Sequence, residues 1–309
     1  MTRRAVVLGI VLATALSLAG CGLGAGKSPT GAQLVITQDF GAHPLSQLAD
    51  PKFGGSDTVM RFLQRNAKVT TRFGGGYVQS IGGRAGGTSG GRPVDWFYYV
   101  NGVLAPKGAA STRLHDGDVV WWDRHDWSAT QDVPAVVGTF PEPFLHGIDG
   151  KRLPTRLECT QPGSPSCKAV QQRLTDAGVL APEGGLQRSL AKETLRVLVG
   201  PYLALRDDDA VRQLERGPKA SGVYARPSAD GRTITTLDAQ GHAVRRLGPG
   251  TGLVAATRFE DGRPVWIVTG TDEAGIAAAV TALDEGNLKN RFAVAVSSGR
   301  AVALPEVRP

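Results

Sequence analysis

The stretch Asp95-Trp-Phe-Tyr-Tyr-Val-Asn-Gly102, followed by Leu114-His-Asp-Gly-Asp-Val-Val-Trp-Trp122, decides the fold. Its first half is an aromatic strand entering an Asn-Gly turn, a pair that accepts the positive φ angles of a type I′ hairpin. The second half is a tight Asp-Gly turn opening a strand at Val119. Alternation sets Trp96, Tyr98 and Val100 on one face and Phe97 and Tyr99 on the other. Working outward, Leu34 to Thr37 reads as a strand, and Ser56-Asp57 caps a helix bearing Val59, Met60, Phe62 and Leu63 at helical spacing. Gly74 to Ile81 suggests another strand. Gly82 to Gly91 reads as a flexible loop, because glycine at that density is entropically costly to fix. It lacks the Gly-Lys-Ser/Thr ending and following helix of a phosphate cradle.

These residues resemble a known family. Trp96 and Tyr98 before Val100-Asn101-Gly102, then Gly108, Leu114 and Asp116-Gly117-Asp118 leading to Val120 and Trp122, are similar to the transcobalamin-like β-grasp domain, related to the carboxy-terminal domain of vitamin B12 carriers. The resemblance covers about 34 to 127. It implies a β-grasp fold and a small, corrinoid-like ligand, and is more specific for fold than for ligand. The aromatic residues allow two readings. Trp96, Tyr98, Trp122 and Trp127 form an open ligand face, or the rings cap a small core. Asp123-Arg-His125-Asp126 reads mainly as a polar strand end, with Asp123 and His125 on one face and Asp126 turned away.

The amino terminus sets the compartment. Arg3 and Arg4 precede an apolar run, Val6 to Leu18, shorter than the roughly 20 residues that cross a bilayer, and Leu18-Ala-Gly-Cys21 resembles a bacterial lipobox. That resemblance implies cleavage of signal peptide 1–20, diacylglycerol on Cys21, and a Gly/Ala/Ser/Pro-bearing tether over 21–33. Acyl chains, at about 0.8 kcal/mol per buried methylene, hold a protein on a membrane. Membrane lipid is thus the first expected partner, and the extracytoplasmic face of the cell membrane the expected location.

The formal charge is +7, with 11 basic against 11 acidic residues over 22–150 and 22 against 17 over 151–309. So dispersed an excess, without Lys/Arg runs interleaved with aromatics, argues against a nucleic-acid partner and leaves attraction to anionic envelope polymers open. Cys159 and Cys167 flank a turn-rich stretch and are expected to pair outside the cytoplasm.

The expected domains are a β-grasp over 34–132, a Pro/Gly-rich linker over 133–154, and an α/β unit with a mixed sheet and packed helices over 155–309, α+β overall. In the last unit, Leu195 to Tyr202, Gly252 to Arg258 and Val265 to Gly270 read as strands. Asp207-Asp-Asp209 caps one helix. Thr271 to Leu283 carries small residues suited to a helix lying close on a sheet. No Gly-x-Ser-x-Gly elbow, zinc-helix motif or Walker loop occurs, so neither catalysis nor a cofactor is expected. The leading expectation is a lipoprotein that captures a small ligand and presents it to a membrane importer, for which energy-coupling-factor systems fit. The alternative is an envelope interaction or scaffold protein touching glycan or protein.

Overall fold

The computed structural model describes residues 30–48, 51–52, 54–187 and 193–308. Cys21 and the expected signal peptide, 1–20, lie outside the described residues. Strands β1 (Gln33–Gln38) and β2 (His43–Leu48) open the chain, followed by helix α1 (Val59–Asn66). Next come β3 (Val69–Arg72), β4 (Tyr77–Ile81), β5 (Arg84–Ala85), β6 (Gly87–Ser89), β7 (Arg92–Val100), β8 (Val103–Leu104) and β9 (Val119–Asp126). The main sheet has order β2-β1-β9-β7-β6, with β8 on β7, and β1 runs parallel to β9 at its centre. A first strand parallel to the last, with one helix on the sheet, is the β-grasp arrangement expected. Asn101 and Gly102 take φ of 52° and 74° between β7 and β8, as the hairpin reading requires.

Two local expectations change. The α1 cap is Thr58, whose hydroxyl accepts from Arg61 N, whereas Asp57 is buried, accepts from Gly54 N at 2.6 Å and pairs with Arg65 at 3.0 Å. The glycine-rich 82–91 segment is not one flexible loop. It holds two short strands, and its glycines serve the turns at Gly82-Gly83 and Gly90-Gly91, where φ lies between 57° and 81°.

The second unit runs through β10 (Thr155–Cys159), α2 (Pro165–Asp176), β11 (Glu183–Gly185), β12 (Leu195–Pro201), and the single-turn helices α3 (Tyr202–Leu205), α4 (Asp209–Arg212) and α5 (Pro218–Ser221). A small sheet of β13 (Ala225–Pro227), β14 (Ile234–Leu237) and β15 (Ala243–Leu247) follows. Then come β16 (Gly252–Thr257), β17 (Val265–Gly270), α6 (Glu273–Thr281), α7 (Glu285–Leu288), β18 (Ala293–Ser297) and β19 (Arg300–Leu304). The large sheet has order β11-β10-β12-β17-β16-β18-β19, parallel through β17 and antiparallel beyond it. Every residue of β16 and β17 is buried, as befits strands covered on both faces.

Small residues let α6 sit almost on the backbone of the sheet. A Cβ at Gly275 would fall 2.3 Å from Thr251 O, and one at Gly252 2.3 Å from Gly275 O. Asp272 caps α6 through Gly275 N, and Asp208 caps α4 through Ala210 N. Cys159 and Cys167 are bridged, tying β10 to the first turn of α2.

The 133–154 segment does not behave as a linker. Val133, Ala135, Val136, Val137, Phe140 and Phe144 are buried. Its backbone bonds both units: Val136 N donates to Gly102 O at 2.8 Å, and Val137 N to Phe292 O at 3.2 Å. Proline and glycine do exclude helix and strand here. The apolar residues between them still belong to the core, because turn backbone with satisfied hydrogen bonds, as from Phe140 N to Val137 O and Phe144 N to Pro141 O, can be buried as well as a strand.

Candidate functional site

The β-grasp sheet is covered on both faces. Toward α1 lie Leu34, Ile36, Trp96, Tyr98, Val120 and Trp122, packed on Val59, Met60, Phe62 and Leu63. Tyr98 and Trp122 stack at 4.8 Å, Trp96 Nε1 donates to Arg84 O at 2.8 Å, and the Tyr98 hydroxyl reaches Lys107 O and Thr112 Oγ1. The open-face reading is therefore corrected for Trp96, Tyr98 and Trp122. Burying the apolar side of α1 consumes this row of rings. Trp127, just past β9, is half-buried and lies apart from that core cluster.

The opposite face forms a seam with the second unit. Val35, Phe40, Tyr99 and Trp121 share one core with Val133, Val136, Tyr224, Leu253, Phe292 and their neighbours. A buried polar network fixes this seam. Asp123 accepts from Phe40 N at 3.0 Å, Gly41 N at 2.8 Å and the Thr37 hydroxyl, and meets His125 Nδ1 at 2.7 Å. Trp121 Nε1 donates to the Thr37 hydroxyl at 2.7 Å.

These bonds hold a turn in which Asp39, Phe40 and Gly41 all have positive φ, an unfavourable conformation for the first two. The turn drives the Phe40 ring into the seam. There it stacks on His125 at 4.4 Å and meets Tyr224 and Phe292 edge-on. The Asp123–His125 pair, on one face as the alternation requires, thus acts structurally. Among the described residues no group of three or more His, Cys, Asp or Glu is placed to hold a metal ion.

Where the seam reaches the surface it opens into a cleft of about 310 Å³. Its apolar wall includes Val35, Trp121, Phe140 and Leu145; its polar groups include Gln33, Gln47, Glu142, His146, Glu285 and Lys289. Gly138 permits this closeness, for a Cβ there would lie 2.6 Å from Arg291 N and 2.8 Å from the Trp121 ring. Glu142 is almost wholly buried, accepts from His146 N at 2.9 Å and is hydrogen-bonded to His146 Nδ1. Burial pushes its carboxyl above the usual glutamate value, against the lowering effect of the His146 hydrogen bonds.

None of these polar residues stands out in the sequence. Gln33 and Glu285 are some 250 positions apart, and Glu142 and His146 lie in a proline-rich segment without periodicity. One signal could have indicated the seam: Val119-Val-Trp-Trp122 is an unbroken apolar run, typical of a strand covered on both faces.

The raised Glu142 value has a testable sign. An acid that ionises less readily in the folded state subtracts stability as pH rises from its unfolded towards its folded value. Glu142→Gln removes that slope. The stability of the variant relative to the native chain, measured by urea unfolding, is expected to be higher at pH 7 than at pH 4; a difference independent of pH would contradict the assignment.

Among curated proteins, none matches the chain. Residues 56–126, from the turn before α1 to the end of β9, match the family model described as a domain of unknown function (DUF4430), and this segment is accordingly a DUF4430 domain, of a transcobalamin-like family.

Proposed function

We propose that the protein is a membrane-anchored, extracytoplasmic lipoprotein that binds a small polar ligand in the seam cleft and presents it to a membrane importer, without transforming it. The observation that carries this reading is the cleft itself. It joins an apolar wall to converging polar groups and lies where two sheets meet, the usual setting of small-molecule sites. Glu285 and Lys289 put opposite charges on one rim, which suits a zwitterionic or polyhydroxylated molecule. The transcobalamin-like domain supports binding in general terms.

Size argues against a corrinoid. Ligand pockets span about 300–1,000 Å³, and a corrinoid would need the upper end of that range or more. At 310 Å³ the cleft sits at the lower end.

Heat-stability shifts of the full chain in neutral detergent test the proposal, using cobalamin, free amino acids and small sugars as probes. A ligand at a hundred times its dissociation constant, bound only to the folded state, adds about 2.7 kcal/mol. The expected result is stabilisation by a small polar probe that disappears in Glu142→Ala. Stabilisation by none of the small molecules would overturn the binding reading, and failure of Cys21 to take up labelled palmitate would remove the anchor.

The envelope-interaction alternative draws on a different feature. Phe73 is 86% exposed beside Tyr77 at the β3–β4 turn, an aromatic projection with no core role. Binding to glycan or a protein partner, lost in Phe73→Ala, would favour it.

A further inference from the structure

A second concavity shares no lining residue with the cleft. It is lined by Ala129 after β9, by Arg216, Pro218 and Lys219 around the start of α5, by Arg226 on β13, and by Gln240 and Gly241 after β14. Three of its side chains are cations and none is a carboxylate.

Elsewhere among the described residues some arginines are neutralised by carboxylates and others are not. Arg65 pairs with Asp57, Arg196 with Glu158 and Asp208, Arg206 with Glu215, and Arg245 with Glu306. Arg216, Lys219 and Arg226 form no ion pair among the described residues. Acids close to the concavity in sequence or by contact are engaged by other partners. Glu215 binds Tyr202 and Arg206; Asp238 binds Arg308 and the Gln240 and His242 amides; Asp126 binds Ser128 and the Gln240 side chain. The lining itself therefore carries three cations and no carboxylate; Asp126 lies behind Gln240 and pairs with Arg92 at 3.7 Å.

Its construction is specific as well as basic. The Arg226 stem lies over Gly217, where a Cβ would meet it at 3.3 Å, and a Cβ at Gly241 would meet Ala129 at 3.4 Å and Pro218 at 3.5 Å. Both glycines have positive φ, 70° and 79°, so larger residues are disfavoured where the backbone lines the space. The volume is about 180 Å³, which admits a tetrahedral anionic group and falls below the roughly 300 Å³ at which small-molecule pockets begin.

We infer that this concavity is an anion site that takes a single phosphate group, carried either by a small soluble molecule or by a phospholipid headgroup. Two guanidinium forks and an ammonium are the donors that recognise phosphate oxygens, and the side-chain amide of Gln240, which donates to Asp126 at 2.7 Å, keeps its oxygen for water or ligand hydroxyls. The inference is independent of the cleft reading and survives its failure.

Isothermal titration of the full chain in neutral detergent with sodium phosphate, at constant ionic strength, tests it. Saturable binding at one site per chain is expected. Arg216→Gln, Lys219→Gln and Arg226→Gln should each weaken it about tenfold or more, the scale of one hydrogen bond to a charged group. All three positions are exposed, so the substitutions leave the core untouched, and each single variant is a test by itself.

Capture by phosphatidylcholine vesicles with and without phosphatidylglycerol separates the two sources. Enhanced capture by the anionic vesicles that is lost in the triple variant assigns the site to a lipid headgroup; phosphate binding without enhanced capture assigns it to a soluble phosphate. Absence of saturable binding up to about 10 mM phosphate, or equal binding by the native chain and the triple variant, would overturn the inference.

Discussion

Replacing Trp121 with alanine is expected to cost about 3–5 kcal/mol, the range for truncating a fully enclosed indole. Trp121 is buried, meets Phe292 of the second unit edge-on at 5.2 Å, lies 5.8 Å from Tyr99, and donates to Thr37. Collapse around the cavity is hindered because Gly41 and Gly138 bring backbone rather than adjustable side chains close to the ring. Urea unfolding followed by far-ultraviolet circular dichroism measures the loss. Because the ring belongs to both units, the midpoint should move for the whole signal. A loss below about 1 kcal/mol, or a shift in only part of the transition, would show that Trp121 does not join the two sheets.

The second large effect is expected at Asp123. Asp123→Ala leaves the Phe40 and Gly41 amides, the Thr37 hydroxyl and His125 Nδ1 without their shared acceptor inside the protein. Removing one member of a buried charged network costs about 3–5 kcal/mol, since the remaining polar groups stay desolvated. The Asp39–Gly41 turn, all at positive φ, depends on those amide bonds, so Phe40 should also withdraw from His125. A double-mutant cycle with Thr37→Val supplies the check. Coupling of the two losses is expected, because both residues act in one network; strict additivity would contradict that role.

The sequence revealed most where one short segment contained the whole signal. Asn101-Gly102 marked its hairpin, the alternation of β7 and β9 separated the two rows of rings, the small residues of α6 announced its close approach, and the turn-rich stretch between Cys159 and Cys167 matched a bridge. The seam was less legible because it depends on what lies over a face rather than on the face. Alternation placed Tyr99 and Phe97 opposite Trp96 and Tyr98, but the covering residues, Tyr224 and Phe292, come from more than 100 positions later.

The Pro/Gly-rich connector misled for a related reason. Local composition showed that Val133 to Phe144 would not form helix or strand, and only tertiary packing shows that it is core. The cleft combines both difficulties. Glu142 and His146 come from the connector and Glu285 and Lys289 from a single-turn helix and its end, while Gln33 and Gln47 sit on the first two strands. No motif spacing links groups gathered in that way.

The central claim is that the DUF4430 domain and the mixed-sheet unit share one core cluster at the seam, whose opening forms the cleft. Scanning calorimetry of the intact chain tests it most directly. One heat-absorption peak, with calorimetric and van't Hoff enthalpies in agreement, is the result predicted for a shared core. Two separated peaks, the first weakening near-ultraviolet tryptophan signals while the mixed sheet and its buried Trp266 persist, would contradict it.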